Sequence, residues 1–326
     1  MPISMEVPER GRPETTTTDS STPGGPPPKS RRRNAIVAAI SIDGLGPVKR
    51  PVLVVAGSGP GHYTRHAMMQ IEAVNEVALQ AGDVVLRHYE AQDTWVKAKE
   101  DGSPVTGVDL AAEEIIYAGL QRLDPSIPYV SEERELPDYD TRRVWPRYWL
   151  VDPLDGTKEF INRTDEFTVN IALIEAGQPV LGVVVAPASN LLYYARNGEG
   201  AWKRDGDGPS ERLRSRLADP AATLRIVESR SHPSPALEAF LEPFTISERV
   251  KSGSSLKFCA VADGRADMYP RLGPTMEWDV AAGDCVYRNS GDPEPHPGTL
   301  EYNKPSLKNP SFVIGLPPGS YTLPAG

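Results

Sequence analysis

Two aspartates stand three residues apart in Asp152-Pro-Leu-Asp-Gly-Thr157. Proline stands between them and glycine follows, so the chain is expected to turn sharply here and aim both carboxylates at one point. Their charges repel unless a cation lies between them. An oxygen-rich site without cysteine suits a hard cation such as magnesium. Two such ions bridged by carboxylates can polarise a phosphate, activate a water and stabilise a leaving alkoxide. Gly156 allows close backbone approach, and Thr157 adds a hydroxyl able to orient that water. Each aspartate alone would be an ordinary solvated turn residue. What argues against that reading is a second strand-to-acid junction at Ser131-Glu132-Glu133.

The elements that position these acids follow from periodicity. Ile71, Val74, Ala78, Ala81 and Val85 predict a helix from about Met68. A second begins near Thr106, where Thr106-Gly-Val-Asp109 fits a capping box. Leu110, Ile116, Leu120 and Leu123 form its apolar face, and Pro125 stops it. Ile127–Val130 and Arg147–Val151 are short buried strands, each running into acidic residues. Phe167–Ile174, Val180–Val185 and Leu191–Tyr194 form an antiparallel meander. Residues 203–222 are polar and contain Gly and Pro, which suggests a domain boundary. Beyond them come a strand at Leu224–Glu228, a helix around Pro235–Leu241 and a helix opened by Trp278-Asp279.

Composition bounds the function. The 326 residues suffice for one large or two modest domains, and no run of 18 apolar residues spans a membrane. Cys259 and Cys285 lack metal-ligand spacing, so reduced thiols are expected. The net charge of −9 is uneven: residues 1–66 hold nine Lys/Arg against five Asp/Glu, and the remainder is strongly acidic. An acidic body argues against nucleic-acid polymers, but bound cations would still admit a small anionic substrate. Residues 1–33, rich in Thr, Ser, Pro and Gly, are expected to be disordered, and Ala35–Ile40 and Pro51–Ala56 are candidate short strands. The basic-then-apolar order near Arg31–Arg33 resembles a signal peptide but starts late and is broken by Asp43 and Lys49. A dispensable extension over 1–67, with Met68 or Met69 as an alternative start, is the preferred reading. Arg31–Arg33 is too short a cluster to argue for an anionic surface.

Trp149-Leu-Val-Asp-Pro-Leu-Asp-Gly-Thr157 resembles the signature of the inositol monophosphatase superfamily. Pro104–Asp109, Ser131–Glu133 and Glu277-Trp-Asp-Val-Ala-Ala-Gly283 resemble its other elements, in the same order, over roughly residues 70–315. Lys158-Glu-Phe160, Gly253-Ser-Ser-Leu-Lys-Phe-Cys259 and Tyr269–Thr275 are similar to CysQ-type bisphosphate nucleotidases. The resemblance implies an α/β (α+β) layered αβαβα sandwich, with an N-terminal subdomain over 68–222 and a C-terminal one over 223–326. It also implies magnesium dependence, lithium sensitivity and removal of the 3′-phosphate from adenosine 3′,5′-bisphosphate, with 3′-phosphoadenylyl sulfate as a possible second substrate in sulfur metabolism.

Carried over residue by residue, the resemblance gives Glu132, Asp152 and the Leu154 carbonyl to one magnesium, and Asp152, Asp155 and Asp279 to a second. Thr157 would orient the water with Asp109 as its partner, and Glu132 would assist. Gly156, Thr157, Lys158, Ser229, His232, Gly253, Lys257, Arg271 and Asp279 would contact substrate. Lys257 as a surface lysine and His232 as a packing residue remain the plain alternatives. Ser290-Gly291-Asp292 replaces the family's usual A-G-G and could alter a turn. A sugar or polyol phosphatase of the same superfamily, and a non-catalytic nucleotide- or metal-binding regulator, are the competing functions. A monomer or homodimer is expected, in the cytoplasm or peripheral at the inner face of the membrane.

Overall fold

The computed structural model describes residues 62–91, 96–98, 104–231 and 234–324. The expected disorder and strands before residue 62, and His232, lie outside the described residues. Helices are α1 (His62–Ala91), α2 (Gly107–Leu123), α3 (Tyr139–Arg142), α4 (Thr157–Ile161), α5 (Leu237–Leu241), α6 (Leu256–Ala262) and α7 (Glu277–Asn289). Strands are β1 (Val96–Ala98), β2 (Pro104–Thr106), β3 (Tyr129–Ser131), β4 (Arg147–Asp155), β5 (Thr168–Glu175), β6 (Gln178–Ala186), β7 (Leu191–Arg196), β8 (Gly200–Asp205) and β9 (Ser210–Arg212). They continue with β10 (Thr223–Ser229), β11 (Thr245–Ser252), β12 (Tyr269–Arg271), β13 (Thr275–Met276), β14 (Lys308–Asn309) and β15 (Phe312–Ile314).

The main sheet runs β3-β4-β5-β6-β7-β8-β9, parallel only between β3 and β4. Side chains alternate across its faces, as a period of two requires. Trp149, Val151, Ile171 and Val183 meet α1 and α2 on one face. Tyr148, Leu150, Ala172 and Val184 meet α6 and α7 on the other. A second β layer lies beyond α6 and α7, made of the pairs β10-β11 and β12-β15, which a bridge between Ile226 and Met268 links. Its Val227, Phe312 and Ile314 face those helices, while Ile226, Met268 and Val313 face α5. The order is therefore helices, sheet, helices, sheet, helix: an αβαβα sandwich.

Close packing explains two of the small residues. A Cβ on Gly119 of α2 would lie 2.6 Å from Val77 of α1. A Cβ on Gly182 of β6 would lie 2.6 Å from the Ala282 carbonyl of α7. The α1 stripe is buried as expected, but Leu110 and Leu123 of α2 project toward solvent. Val108, Ala112, Ile116 and Leu120, spaced four apart, make the buried face instead.

The polar stretch from 203 begins with the end of β8 and contains β9, because an edge strand with a solvated face needs no apolar pattern. Asp292 does not adopt positive φ, so the Ser290-Gly291-Asp292 variant places no strained residue in the turn. Cys259 and Cys285 are buried free thiols. Among the described residues no helix is long and apolar enough to cross a membrane.

Candidate active site

The sharp turn expected at Asp152–Asp155 is not where the chain turns. Strand β4 continues through Pro153 to Asp155, with a bulge between the aspartates. Pro153 lacks an N–H, and a bulge is a place in a sheet that tolerates the loss. Asp152 pairs with Asn170 and Asp155 with Thr168, two positions on the same face of β5. Residues three apart on a regular strand would face opposite ways. The one extra residue of the bulge is thus what gives the aspartates a common side. The turn follows at Gly156, whose φ of 92° favours glycine.

Strand ends and helix starts bring further acids here. Glu132 directly follows β3, and its N–H donates to Val151 O of β4 at 3.2 Å. Asp279 is the third residue of α7, and its Oδ2 accepts the Met276 N–H at 2.8 Å. This cap holds the carboxylate at the positive end of the helix. One carboxylate oxygen each from Glu132, Asp152 and Asp279 lie within 4.8 Å of one another. Three converging oxygen donors, without nitrogen or sulfur, fit a hard divalent cation.

The acids raise one another's pKa, as closely spaced carboxylates in a protein cleft do. Asp155 and Asp279 line a cleft, keeping some surface while enclosed by protein. Burial, then Glu132 and Glu159, outweigh the opposing pull of Lys257 and push Asp155 up to about 6. Burial and the Asp155 charge push Asp279 well above the usual carboxylate range. Burial lowers Lys257 to about 8 against the opposing pull of Asp155. Asp155 Oδ2 also accepts from Asn170 Nδ2 at 3.3 Å.

Thr157 begins α4, and its Oγ1 lies 3.3 Å from both Asp109 Oδ1 and the Leu154 carbonyl. Asp109 is buried in the first turn of α2. Either acceptor can take the hydroxyl proton, which leaves oxygen lone pairs for a water.

These groups open into a cavity of about 530 Å³. Lys158, Ser229, Lys257 and Arg271 line it together with Glu132, Asp152, Leu154, Asp155, Gly156, Thr157 and Asp279. Lys257 is buried rather than a surface lysine, with its ammonium donating to the Ser252 and Ser254 carbonyls. Arg271 is buried too and donates from Nη2 to Pro274 O at 2.8 Å. Gly253 is not in the lining. Its N–H donates to Glu166 Oε2 at 2.9 Å, and a Cβ would stand 2.6 Å from Glu166 O. Sequence reasoning missed Glu159, Met276 and Lys308 in the lining. Glu159 was visible only as part of Lys158-Glu-Phe160, and Lys308 sits on a strand too short to be read.

A family model described as "Inositol monophosphatase family" matches residues 68–310. The 3′(2′),5′-bisphosphate nucleotidase CysQ of Salmonella typhimurium is 46% identical over 250 residues, covering 76% of this chain and 99% of that protein. The protein of the same name from Escherichia coli K12 is 44% identical over 252 residues, with the same coverage, 76% and 99%. The crystal structure of CysQ from Bacteroides thetaiotaomicron superposes with a TM-score of 0.61 at 39% identity, covering 77% of this chain and 97% of that one. The chain belongs to the inositol monophosphatase family.

Proposed function

We propose that this protein is a magnesium-dependent 3′(2′),5′-bisphosphate nucleotidase that removes the 3′-phosphate of adenosine 3′,5′-bisphosphate. The observation that carries the reading is the convergence of Glu132, Asp152 and Asp279 within 4.8 Å, in a cleft whose lining also includes Lys257 and Arg271. The acids suit a cation and a phosphate under attack, and the cationic walls suit an anionic substrate. The similarity to CysQ proteins over three quarters of the chain supports the substrate class.

Glu132, Asp152 and the Leu154 carbonyl would hold one magnesium, and Asp152, Asp155 and Asp279 a second. Bound divalent cations supply Lewis acidity toward phosphate oxygens and make water a better nucleophile at neutral pH. The protein supplies orientation. Thr157, held by Asp109 or the Leu154 carbonyl, accepts a hydrogen bond from the attacking water, and Glu132 assists. Gly156 and Thr157 offer donors to the phosphate being cleaved. Ser229 and Lys158 extend the substrate contacts, with His232 as a further candidate. Gly253 contributes by letting Glu166 and Glu159 approach. The same cleft would admit 3′-phosphoadenylyl sulfate. A division near residue 222, a monomer or homodimer, and a cytoplasmic location complete the reading.

Turnover of adenosine 3′,5′-bisphosphate and inositol 1-phosphate, measured side by side with magnesium and with or without lithium, tests it. The nucleotide should be preferred and lithium should inhibit. A strong preference for the inositol ester would overturn the assignment.

A further inference from the structure

The cations of the cleft are not equivalent. Lys257 and Arg271 are buried and already donate to backbone carbonyls of Ser252, Ser254 and Pro274. Lys257 also acts on Asp155, and Arg271 on Asp279. Lys308 lines the same cavity but is exposed at its rim, and its ammonium makes no ion pair among the described residues.

Its backbone, in contrast, is firmly held. Lys308 pairs with Met276 and Asn309 with Thr275 between β14 and β13. Asn309 Nδ2 donates to Thr275 Oγ1 at 3.1 Å and to Met276 O at 2.9 Å. Lys304 Nζ donates to Asn309 Oδ1 at 2.9 Å and pairs with the fully buried Glu277 at 2.8 Å. Glu277 opens α7, two residues before Asp279, and also accepts the N–H groups of Asn303 and Lys304. Arg271, through Pro274 O, props the residue just before β13. A network anchored on the helix that carries Asp279 thus fixes the strand beneath an uncommitted ammonium at the mouth of the cleft.

We propose that Lys308 is a specificity-determining residue that binds the non-reacting phosphate of a bisphosphate substrate. The inference rests on the nucleotidase reading and deepens it. The reacting phosphate belongs among the acids, where a cation can join them. A second phosphate on the same molecule must lie outward of that cluster, toward the rim. An unpaired lysine there gains a charge-assisted hydrogen bond without first breaking an ion pair. A monophosphate held only at the acid cluster would not use it.

The test compares Lys308→Ala, Lys308→Gln and Lys308→Arg with the wild type on adenosine 3′,5′-bisphosphate and adenosine 3′-monophosphate, with magnesium present. For Ala and Gln, KM for the bisphosphate should rise about tenfold, as expected for one lost charge-assisted contact. Its kcat should stay within about twofold, and Arg should restore KM. Neither parameter should change for the monophosphate. The wild-type KM for the bisphosphate should rise with ionic strength more steeply than that of the Ala variant. Equal losses on both substrates, or no loss on the bisphosphate, would overturn the role of Lys308. The parent reading fails separately, if the wild type itself does not favour the bisphosphate, and the inference then falls with it.

Discussion

The Thr157 hydroxyl lies 3.3 Å from Asp109 Oδ1, joining residues 48 apart in sequence at the start of two different helices. If this pair orients the attacking water, its members act as a unit. Thr157→Val should lower kcat by about a hundredfold or more, the scale of a positioned proton-handling group, while Thr157→Ser keeps most activity. Asp109→Asn should lose less, because the Leu154 carbonyl remains as an acceptor. Steady-state kinetics of the double variant Thr157→Val, Asp109→Asn should show a loss close to that of Thr157→Val alone. Additive losses would mean that the two residues work separately.

Asp155 carries a different expectation. Its carboxyl is raised to about 6, above the ordinary value of 3.8. In the metal-free protein the folded state therefore binds a proton that the unfolded state has released. The stability that the protonated form contributes is present below pH 3.8 and is lost as pH rises through about 6. Asp155→Asn should flatten this part of the melting-temperature profile in chelator and leave the metal-free protein at least as stable near neutrality. The same variant should abolish turnover and reduce the thermal shift produced by magnesium. Retained turnover would remove Asp155 from the proposed machinery.

The acid constellation was legible because each member lies in a short contiguous string near the end of a strand or at the head of a helix. How Asp152 and Asp155 come to share a side was not. Pro153 and Gly156 suggest a turn, and only strand pairing reveals that a bulge performs the reorientation. The outer face of α2 misled for a related reason. Leu110 and Leu123 satisfy a helical period, yet burial depends on which stripe meets α1 and the sheet. Lys308 enters the cleft through the pairing of β14 with the distant β13, and Glu159 through the placement of α4, which no local pattern encodes.

Gly253 tests the distinction between a binding residue and a packing residue. A Cβ there would stand 2.6 Å from Glu166 O and 2.8 Å from Glu159 Cγ. Overpacking of this kind costs about 1–3 kcal/mol. Gly253→Ala should lower the urea-unfolding free energy by that amount. It should also raise KM, because Glu159 lines the cleft and Glu166 holds both the Gly253 N–H and the Arg230 guanidinium. A KM increase with unchanged stability would instead favour a direct contact between Gly253 and substrate.

His296 offers a pH test remote from the acids. Its ring stacks on Tyr287 at 4.6 Å between centroids, and Nε2 lies 2.8 Å from Ser215 Oγ. Burial lowers its pKa from 6.5 to about 4, so the folded state holds the imidazole neutral. The unfolded chain then takes up a proton first as pH falls. The associated stability is complete above pH 6.5 and is lost as pH drops through about 4. A shift of this size corresponds to about 3 kcal/mol. His296→Gln, which preserves a polar group for Ser215, should be less stable than wild type near neutrality through lost stacking. Between pH 6.5 and 4 its unfolding free energy should fall less steeply than that of the wild type. Parallel slopes for the two proteins in urea titrations at stepped pH would show that His296 is not the group responsible.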